Sequence, residues 1–267
     1  MFETNIFEQR GDEMLKRERL VAILRMVNAS GLVTTTKLME TLNVSDMTIR
    51  RDLDELNQSG KLIRIHGGAQ SIKGSTLYEL SHIEKREIHI DAKQEVAKLG
   101  AQFVKEEDTI FIGSGTTLEL LAQYIQVNSL RVVTNSLPVF ESIQTRDNNW
   151  ELVLVGGNYR SRSGAFIGNL ANAMLETLKY DKTFIGVNGI HNETIMNASA
   201  EEGKTQGIAL NNAQQKFILA DASKLNRDDF YHFYSLYDVD VLITVESIRN
   251  EEVKEYSQFT MVVKYIL

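Results

Sequence analysis

The sequence predicts an α/β protein in which a small winged helix-turn-helix precedes a larger, doubly wound parallel sheet. Three features point there. Apolar residues recur at helical spacing in three short segments before residue 60. A short β-prone run, Leu62, Ile63 and Ile65, follows them. From Asp91 onward, short apolar runs alternate with helical stretches, as in a mainly parallel sheet covered by helices.

In chain order, Leu20, Ile23, Leu24 and Val27 share one face of a first helix, Leu15 to Val27, which Asn28, Ser30 and Gly31 end. Thr34 to Thr36 offer caps for a second helix through Leu42, with Leu38 and Leu42 facing inward. Asn43 suits a left-handed turn. Ser45 caps a third helix through about Gln58, buried along Ile49, Leu53 and Leu56 and stopped by Gly60. Gly67-Gly68 is expected to end this unit. The expected boundaries are an extension over 1–13, the winged helix-turn-helix over 14–70, a polar linker with room for a helix over 71–90, and the large domain over 91–267. Its expected strands are Thr109 to Ile112, Arg131 to Thr134, Glu151 to Val155, Thr183 to Val187, Phe217 to Ala220, Val241 to Val245 and Met261 to Tyr265.

Composition narrows the function classes. With no cysteine and five scattered histidines, disulfides, thiolate metal sites and zinc-ligand spacing are excluded, so no metal is expected. No apolar run approaches the ~20 residues of a membrane span, and Met1 to Met14 lacks the apolar segment of a leader, so a cytoplasmic protein is expected. The net charge of −7 hides an asymmetry. Residues 14–73 carry ten Lys/Arg against six Asp/Glu, whereas residues 74–267 carry eighteen against twenty-six. A mildly basic head on an acidic body fits a module that meets DNA.

With Ile49, Leu53 and Leu56 committed to a core, Asp46, Met47, Thr48, Arg50 and Arg51 are left on the outer surface of the third helix, where a recognition helix meets bases and phosphates. Arg can fork onto guanine, and Thr and Met can touch a thymine methyl. Ser45 at that helix's start, Thr35 at the second helix's start, and Lys61 and Arg64 beside the wing complete the candidate DNA contacts. The alternative for Arg50 and Arg51 is pairing with Asp46, Asp54 or Glu55 on a solvated helix.

At these residues the sequence resembles the DeoR family of bacterial regulators, through Val44-Ser45-x-x-Thr48-Ile49-Arg50-Arg51-Asp52-Leu53 and then Arg64-Ile65-His66-Gly67-Gly68-Ala69. The resemblance extends through Gly115-Thr116-Thr117, Thr134-Asn135-Ser136, Val155-Gly156-Gly157, Gly186 to Gly189 and Ala220-Asp221-x-Ser223-Lys224. It leaves out the first thirteen residues, which are a flexible extension or precede a true start at Met14. Within the family, Phe111-Ile112-Gly113-x-Gly115-Thr116-Thr117, Arg131 to Phe140, Gly156 to Arg160, Glu201-Glu202-Gly203 and Asp229-Phe230-Tyr231 resemble the branch of lactose phosphotransferase system repressors. The resemblance implies a sensor domain similar to ribose-5-phosphate isomerase, operator DNA as one partner, a phosphorylated sugar as the other, and tagatose 6-phosphate as that sugar. Gly113 departs from the family, which usually has Asp there.

Independently of that resemblance, the loop Ser114-Gly115-Thr116-Thr117, after a strand and opening a helix, suits an anion through free N–H groups, hydroxyls and the helix N-terminus. The alternative is an ordinary strand-to-helix turn. Leu118 stands where a dinucleotide fingerprint has its third glycine, so no nicotinamide cofactor is expected. Thr134, Asn135 and Ser136 can bond sugar hydroxyls or phosphate, or cap the turn before Pro138. Gly156 and Gly157 with Arg160 and Arg162 offer backbone approach plus cations, or exposed arginines. Glu202, Lys204, Asp221 and Lys224 add carboxylates for hydroxyls and ammonium groups for phosphate, with surface pairing the alternative for Glu201 and Lys204. His82, His89, His191 and His232 are read as surface or packing residues.

These features predict a repressor released from its operator by a phosphosugar and acting as a homodimer or homotetramer. The competing readings are a phosphosugar isomerase or deaminase, for which no general base can be assigned, and a winged helix used only for protein contacts.

Overall fold

The computed structural model describes residues 16–65, 67–71, 79–146 and 149–265. The expected extension over 1–13, the proposed start Met14, the motif residue His66 and residues 72–78 of the expected linker lie outside the described residues. The chain divides into two compact units, Met1–Tyr78 and Glu79–Leu267.

The first unit contains α1 (Lys16–Ser30), β1 (Leu32–Thr34), α2 (Thr35–Leu42), α3 (Asp46–Gln58), β2 (Leu62–Ile65) and β3 (Gly68–Ser71). Ile23, Val27, Leu38, Leu42, Ile49, Leu53, Leu56 and Leu62 form its buried core, so the helical stripes in the sequence do face one another. Beyond the apolar residues, Asp52 is buried and accepts hydrogen bonds from the Arg19 guanidinium, tying α1 to α3.

Gly68 does not end the unit. It opens β3, which lies between β1 and β2 and pairs antiparallel with both, Val33 opposite Ala69 and Ile63 opposite Gln70. The wing is therefore a hairpin closed by a third strand. A Cβ on Gly68 would stand 2.3 Å from the Val33 carbonyl oxygen, so glycine is required by the approach of β1. With three residues β1 is too short to announce itself, and β3 has too few apolar residues.

The second unit opens with α4 (His82–Arg86) and α5 (Ile90–Ala101). It continues through β4 (Thr109–Ile112), α6 (Thr116–Tyr124), β5 (Arg131–Thr134), α7 (Leu137–Gln144), β6 (Glu151–Leu154), β7 (Asn158–Arg160), β8 (Ala165–Ile167) and α8 (Asn169–Glu176). Then come β9 (Tyr180–Gly186), β10 (Gly189–His191), β11 (Thr194–Asn197), α9 (Ala200–Asn211), β12 (Ala213–Leu219), β13 (Tyr231–Ser235), β14 (Val241–Ile243), α10 (Asn250–Tyr256) and β15 (Met261–Val263).

Seven of these strands form one parallel sheet in the order β15-β14-β12-β9-β4-β5-β6. Side chains alternate across it. Ile110, Ile112, Val132, Phe217 and Ile243 pack beneath α5, α6 and α7, while Phe111, Val133, Ile185, Ile218 and Leu242 pack against α8, α9 and α10. The unit is a three-layer, doubly wound domain with a core on each face. Its strand order reverses between β4 and β9, the place where such folds receive ligands beyond the carboxyl ends of their strands.

All seven expected strands are present, and two begin earlier than their apolar runs. Their early residues, after Tyr180 and Ala213, are polar, Asp181-Lys182 in β9 and Gln214-Gln215-Lys216 in β12, and Asp181 accepts the Thr109 amide while Lys182 pairs with Asp108. The small antiparallel pieces went unforeseen: the hairpin β7–β8 and the sheet β10-β11-β13. No helix among the described residues is long and apolar enough to cross a membrane.

Gly68→Ala should lower the stability of the first unit by about 1–3 kcal/mol through overpacking against Val33. An earlier urea midpoint for the loss of that unit's helical signal checks it.

Candidate functional site

In the first unit, Thr34 caps α2 through its hydroxyl, which accepts the Lys37 amide at 3.2 Å. Asn43 ends α2 at φ 51°, ψ 48°, and Ser45 caps α3 by accepting the Thr48 amide. This short turn fixes α3 with Ile49, Leu53 and Leu56 inward. Met47, Arg50 and Arg51 stand exposed, Met47 at 63%. Asp46 and Thr48 are partly exposed beside them.

The candidates are not all equally free. Arg50 donates to Asp46 at 2.6 Å, the ion pair weighed against a DNA role, and Arg64 pairs with Asp54 on α3. Arg51 makes no ion pair among the described residues, and Lys61 is exposed. Thr35 has a structural task, because its amide and hydroxyl both donate to the Gly67 carbonyl and fasten α2 to the wing. Arg50, Asn57, Arg64, Ile65 and Gly67 line a shallow hollow between α3 and the wing.

In the second unit, Glu202 and Lys204 stand on α9, and the other candidate residues lie at or after the ends of β4, β5, β6 and β12, on the carboxyl edge of the sheet. Gly115 adopts φ +138°, a conformation that disfavours a side chain, and the space where a Cβ would stand is open. Thr116 and Thr117 begin α6 from it. The neighbouring Gly113, where the family usually has Asp, is buried, and a Cβ there would meet Ile185 Cδ1 at 2.9 Å.

Ser114 donates to Glu202 Oε1 at 2.6 Å, joining the loop after β4 to the first turn of α9. Ser199 caps that turn. The other oxygen, Glu202 Oε2, stands 3.4 Å from Arg160 Nη1 and has no hydrogen-bond partner. Arg160 also donates through both terminal nitrogens to Glu79. Burial opposes the Arg160 charge, but the Glu79 and Glu202 carboxylates prevail and hold its pKa above the ordinary value.

Beyond β12, burial alone would raise the Asp221 carboxyl, yet Lys224 and two hydrogen bonds from Ser223 hold it below its usual value. Its Oδ2 is buried without a hydrogen-bond partner. Desolvation pushes Lys224 down to about 7 and Lys93, on α5, down to about 8, each against the pull of Asp221. Lys93 donates to the Lys85 carbonyl. Asn135 donates to the Phe166 carbonyl at 2.9 Å and leaves its own Oδ1 buried without a partner, as is Ser163 Oγ.

Other candidates have local explanations. Thr134 accepts the Ser136 amide, and Ser136 caps α7, so the turn before Pro138 is a capping turn with Asn135 at its centre. Gly157 is dictated by packing, since a Cβ would lie 2.7 Å from the Ile167 carbonyl oxygen, whereas Gly156 is exposed and open. Lys204 is exposed on α9 while Glu202 is buried. His191 meets Asp228 at 2.7 Å and His232 meets the Tyr234 carbonyl, whereas His82 is buried 3.3 Å from Glu119 on α6 with its Nε2 lacking a hydrogen-bond partner, and burial holds its pKa below the ordinary value. Sequence reasoning missed Glu79, Lys85 and Lys93, which carry no local motif. Among the described residues no cluster of His, Asp or Glu is arranged to hold a metal ion.

A winged helix with an exposed polar face on its third helix, followed by a parallel α/β domain with buried polar groups that lack hydrogen-bond partners near the carboxyl ends of its strands, defines a two-domain DNA-binding regulator. Residues 19–75 match the DeoR-like helix-turn-helix domain and residues 88–246 the DeoR C terminal sensor domain. The chain belongs to the DeoR family and is a helix-turn-helix repressor homologous to lactose phosphotransferase system repressors. One such repressor, from Streptococcus mutans serotype c, is 41% identical over 94% of this chain and 100% of its own length. Another, from Lactococcus lactis subsp. lactis, is 41% identical over 94% of this chain and 99% of its own. Among solved structures, ribose 5-phosphate isomerase A from Methanocaldococcus jannaschii gives a TM-score of 0.37 at 19% identity, covering 51% of this chain and 54% of that one. The β subunit of eIF2B from Chaetomium thermophilum gives 0.43 at 11% identity, covering 90% of this chain and 70% of that one.

Proposed function

We propose that this chain represses a sugar-utilisation operon in the cytoplasm, as a homodimer or homotetramer, and leaves its operator when the second unit binds a phosphorylated sugar. The observation that carries the effector reading is the set of buried oxygens without hydrogen-bond partners, Asn135 Oδ1, Glu202 Oε2 and Asp221 Oδ2, beside desolvated lysines on one sheet edge. Buried polar atoms without partners cost free energy unless something satisfies them. A polyhydroxylated anion supplies donors for the oxygens and charge for the lysines.

In this reading the phosphate seats on Ser114 to Thr117 at the start of α6, with Lys93 and Lys224 as counter-charges. Glu202, Asp221 and Asn135 accept from sugar hydroxyls. Thr134, Ser136, Gly156, Gly157 and Lys204 supply scaffold or rim. Tagatose 6-phosphate is the effector favoured by similarity to the lactose-system repressors. The site binds the sugar and does not convert it. In the first unit, Ser45, Asp46, Met47, Thr48, Arg50 and Arg51 meet the major groove, with Thr35, Lys61 and Arg64 beside the backbone.

Operator retention titrated with sugar phosphates tests this directly. Phosphorylated ketohexose should release DNA and raise the thermal midpoint, the unphosphorylated sugar should do neither, and isomer formation should be absent. Equal response to both sugars would sink the phosphate assignment, and turnover would favour an isomerase or deaminase.

Arg51→Ala should cost about 1–3 kcal/mol of specific operator affinity at matched salt, with the fold unchanged by circular dichroism.

The lysines predict a pH dependence. An anion raises the pKa of a bound ammonium toward its ordinary value, so the complex holds more protons than the free protein above about 7 for Lys224 and about 8 for Lys93. The phosphate is itself fully ionised in that range. Affinity should therefore fall as pH rises, by up to about tenfold per pH unit for each lysine. Calorimetry in buffers of different ionisation enthalpy should show proton uptake on binding.

A further inference from the structure

We infer that Glu79 is a tethered competitor for the effector's phosphate: its carboxylate holds Arg160 in the empty sensor, and the phosphate takes Arg160 from it. The inference rests on the effector reading above and adds the means by which binding is felt outside the site.

Both terminal nitrogens of Arg160 donate to the two Glu79 carboxylate oxygens, one at 3.1 Å, and Lys85 Nζ lies 3.5 Å from the same carboxylate. The Glu79 side chain is only 11% exposed. A fork of two parallel N–H donors is the geometry with which arginine binds either a carboxylate or a phosphate. The same guanidinium lies 3.4 Å from Glu202, which accepts from Ser114 of the anion loop. Glu79 is thus separated from the loop by one guanidinium and one carboxyl group. A phosphate seated there brings up to two negative charges and three acceptor oxygens within reach of Arg160, against one charge and two oxygens from Glu79.

Glu79 is also the first residue of the second unit, where the chain arrives from the winged helix. The segment behind it is fastened from several elements. The Glu79 carbonyl accepts from Arg162, the His82 amide donates to the Arg162 carbonyl, and Lys85 donates to Asn188 beyond β9. Arg86 pairs with Glu119 on α6, the helix that begins at the anion loop. Losing the Glu79 fork removes one of the two anchors at Glu79, where the chain arrives from the DNA reader, and leaves the Arg162 bond to the Glu79 carbonyl. A ligand that binds only after displacing a competitor shows weaker apparent affinity by the fraction of molecules left competent.

The test uses the full chain with Glu79→Gln and Glu79→Asp. Affinity for tagatose 6-phosphate, and for inorganic phosphate as the headgroup alone, is measured by calorimetry, and amide hydrogen exchange is followed over residues 79–88. Glu79→Gln should bind about tenfold more tightly, as for a competitor engaged in about nine molecules of ten. Glu79→Asp, which keeps the charge, should stay near the parent. In the parent, ligand should raise exchange over 79–88 to the level of ligand-free Glu79→Gln. The rise in the parent's own exchange on binding separates displacement from a general gain in positive potential, and that rise is read without any variant. Binding by Glu79→Gln equal to the parent, or parent exchange unchanged by ligand, overturns the competitor while leaving the effector reading intact. If the parent binds neither sugar phosphate nor phosphate, the effector reading falls and takes the competitor with it.

Discussion

Parallel strands can be joined only by crossovers, so every loop that leaves a strand of this sheet emerges on the same edge. Both faces are sealed by apolar layers, leaving polar side chains near the strand ends to gather in that one place. Ser114, Asn135, Glu202 and Asp221 are nine-tenths or more buried there, and they come from loops after β4, β5 and β12 and from the first turn of α9. Ser114 closes on Glu202, while Asn135 Oδ1, Glu202 Oε2 and Asp221 Oδ2 are each left without a hydrogen-bond partner. The site is a consequence of the sheet's topology before it is a consequence of any one motif.

How much of this is readable in advance depends on the range of the interaction that decides it. Helix α3 has its expected limits because its cap, Ser45 to Thr48, acts across three residues and its buried stripe repeats within thirteen. Strands β4 and β5 are dense apolar runs in a buried parallel sheet and have the expected ends. Strand β3 is legible only together with β1, because Gly68 is explained by the Val33 carbonyl of a strand far back in the sequence. The sheet-edge candidates carry small-residue motifs that mark where they sit. What each one touches was hidden: Ser114 meets Glu202 across 88 residues, and Arg160 meets Glu79 across 81. Lys93 has no motif at all, and only the fold places it beside Asp221.

The two units handle their cations in the same way and with different strengths. In the winged helix, Arg50 rests on Asp46 and Arg64 on Asp54, so two candidate phosphate contacts are neutralised by the protein's own acids. The Arg50 pair is exposed, 56% and 45% for its two side chains, and exposed pairs contribute about 0–1 kcal/mol. Exchanging such a carboxylate for a DNA phosphate therefore costs little. This also accounts for the small net charge of a module that meets DNA: acids that hold its arginines cancel them in a charge count without removing them from the surface.

In the sensor the corresponding pair is withdrawn from water, Arg160 at 21% and Glu79 at 11% exposure. A charge that loses its partner in such surroundings is costly, so an anion that takes the place of Glu79 on Arg160 offsets the loss, with Glu202 3.4 Å away. An exposed pair gives a graded response, because each partner is solvated whether or not it is paired. A buried pair favours an exchange between two occupied states with little population of the unpaired cation between them. The location of Glu79 at the entry of the chain into the sensor then gives the exchange a mechanical consequence. Had the competing carboxylate come from the far side of the sheet, displacing it would have altered affinity and nothing else.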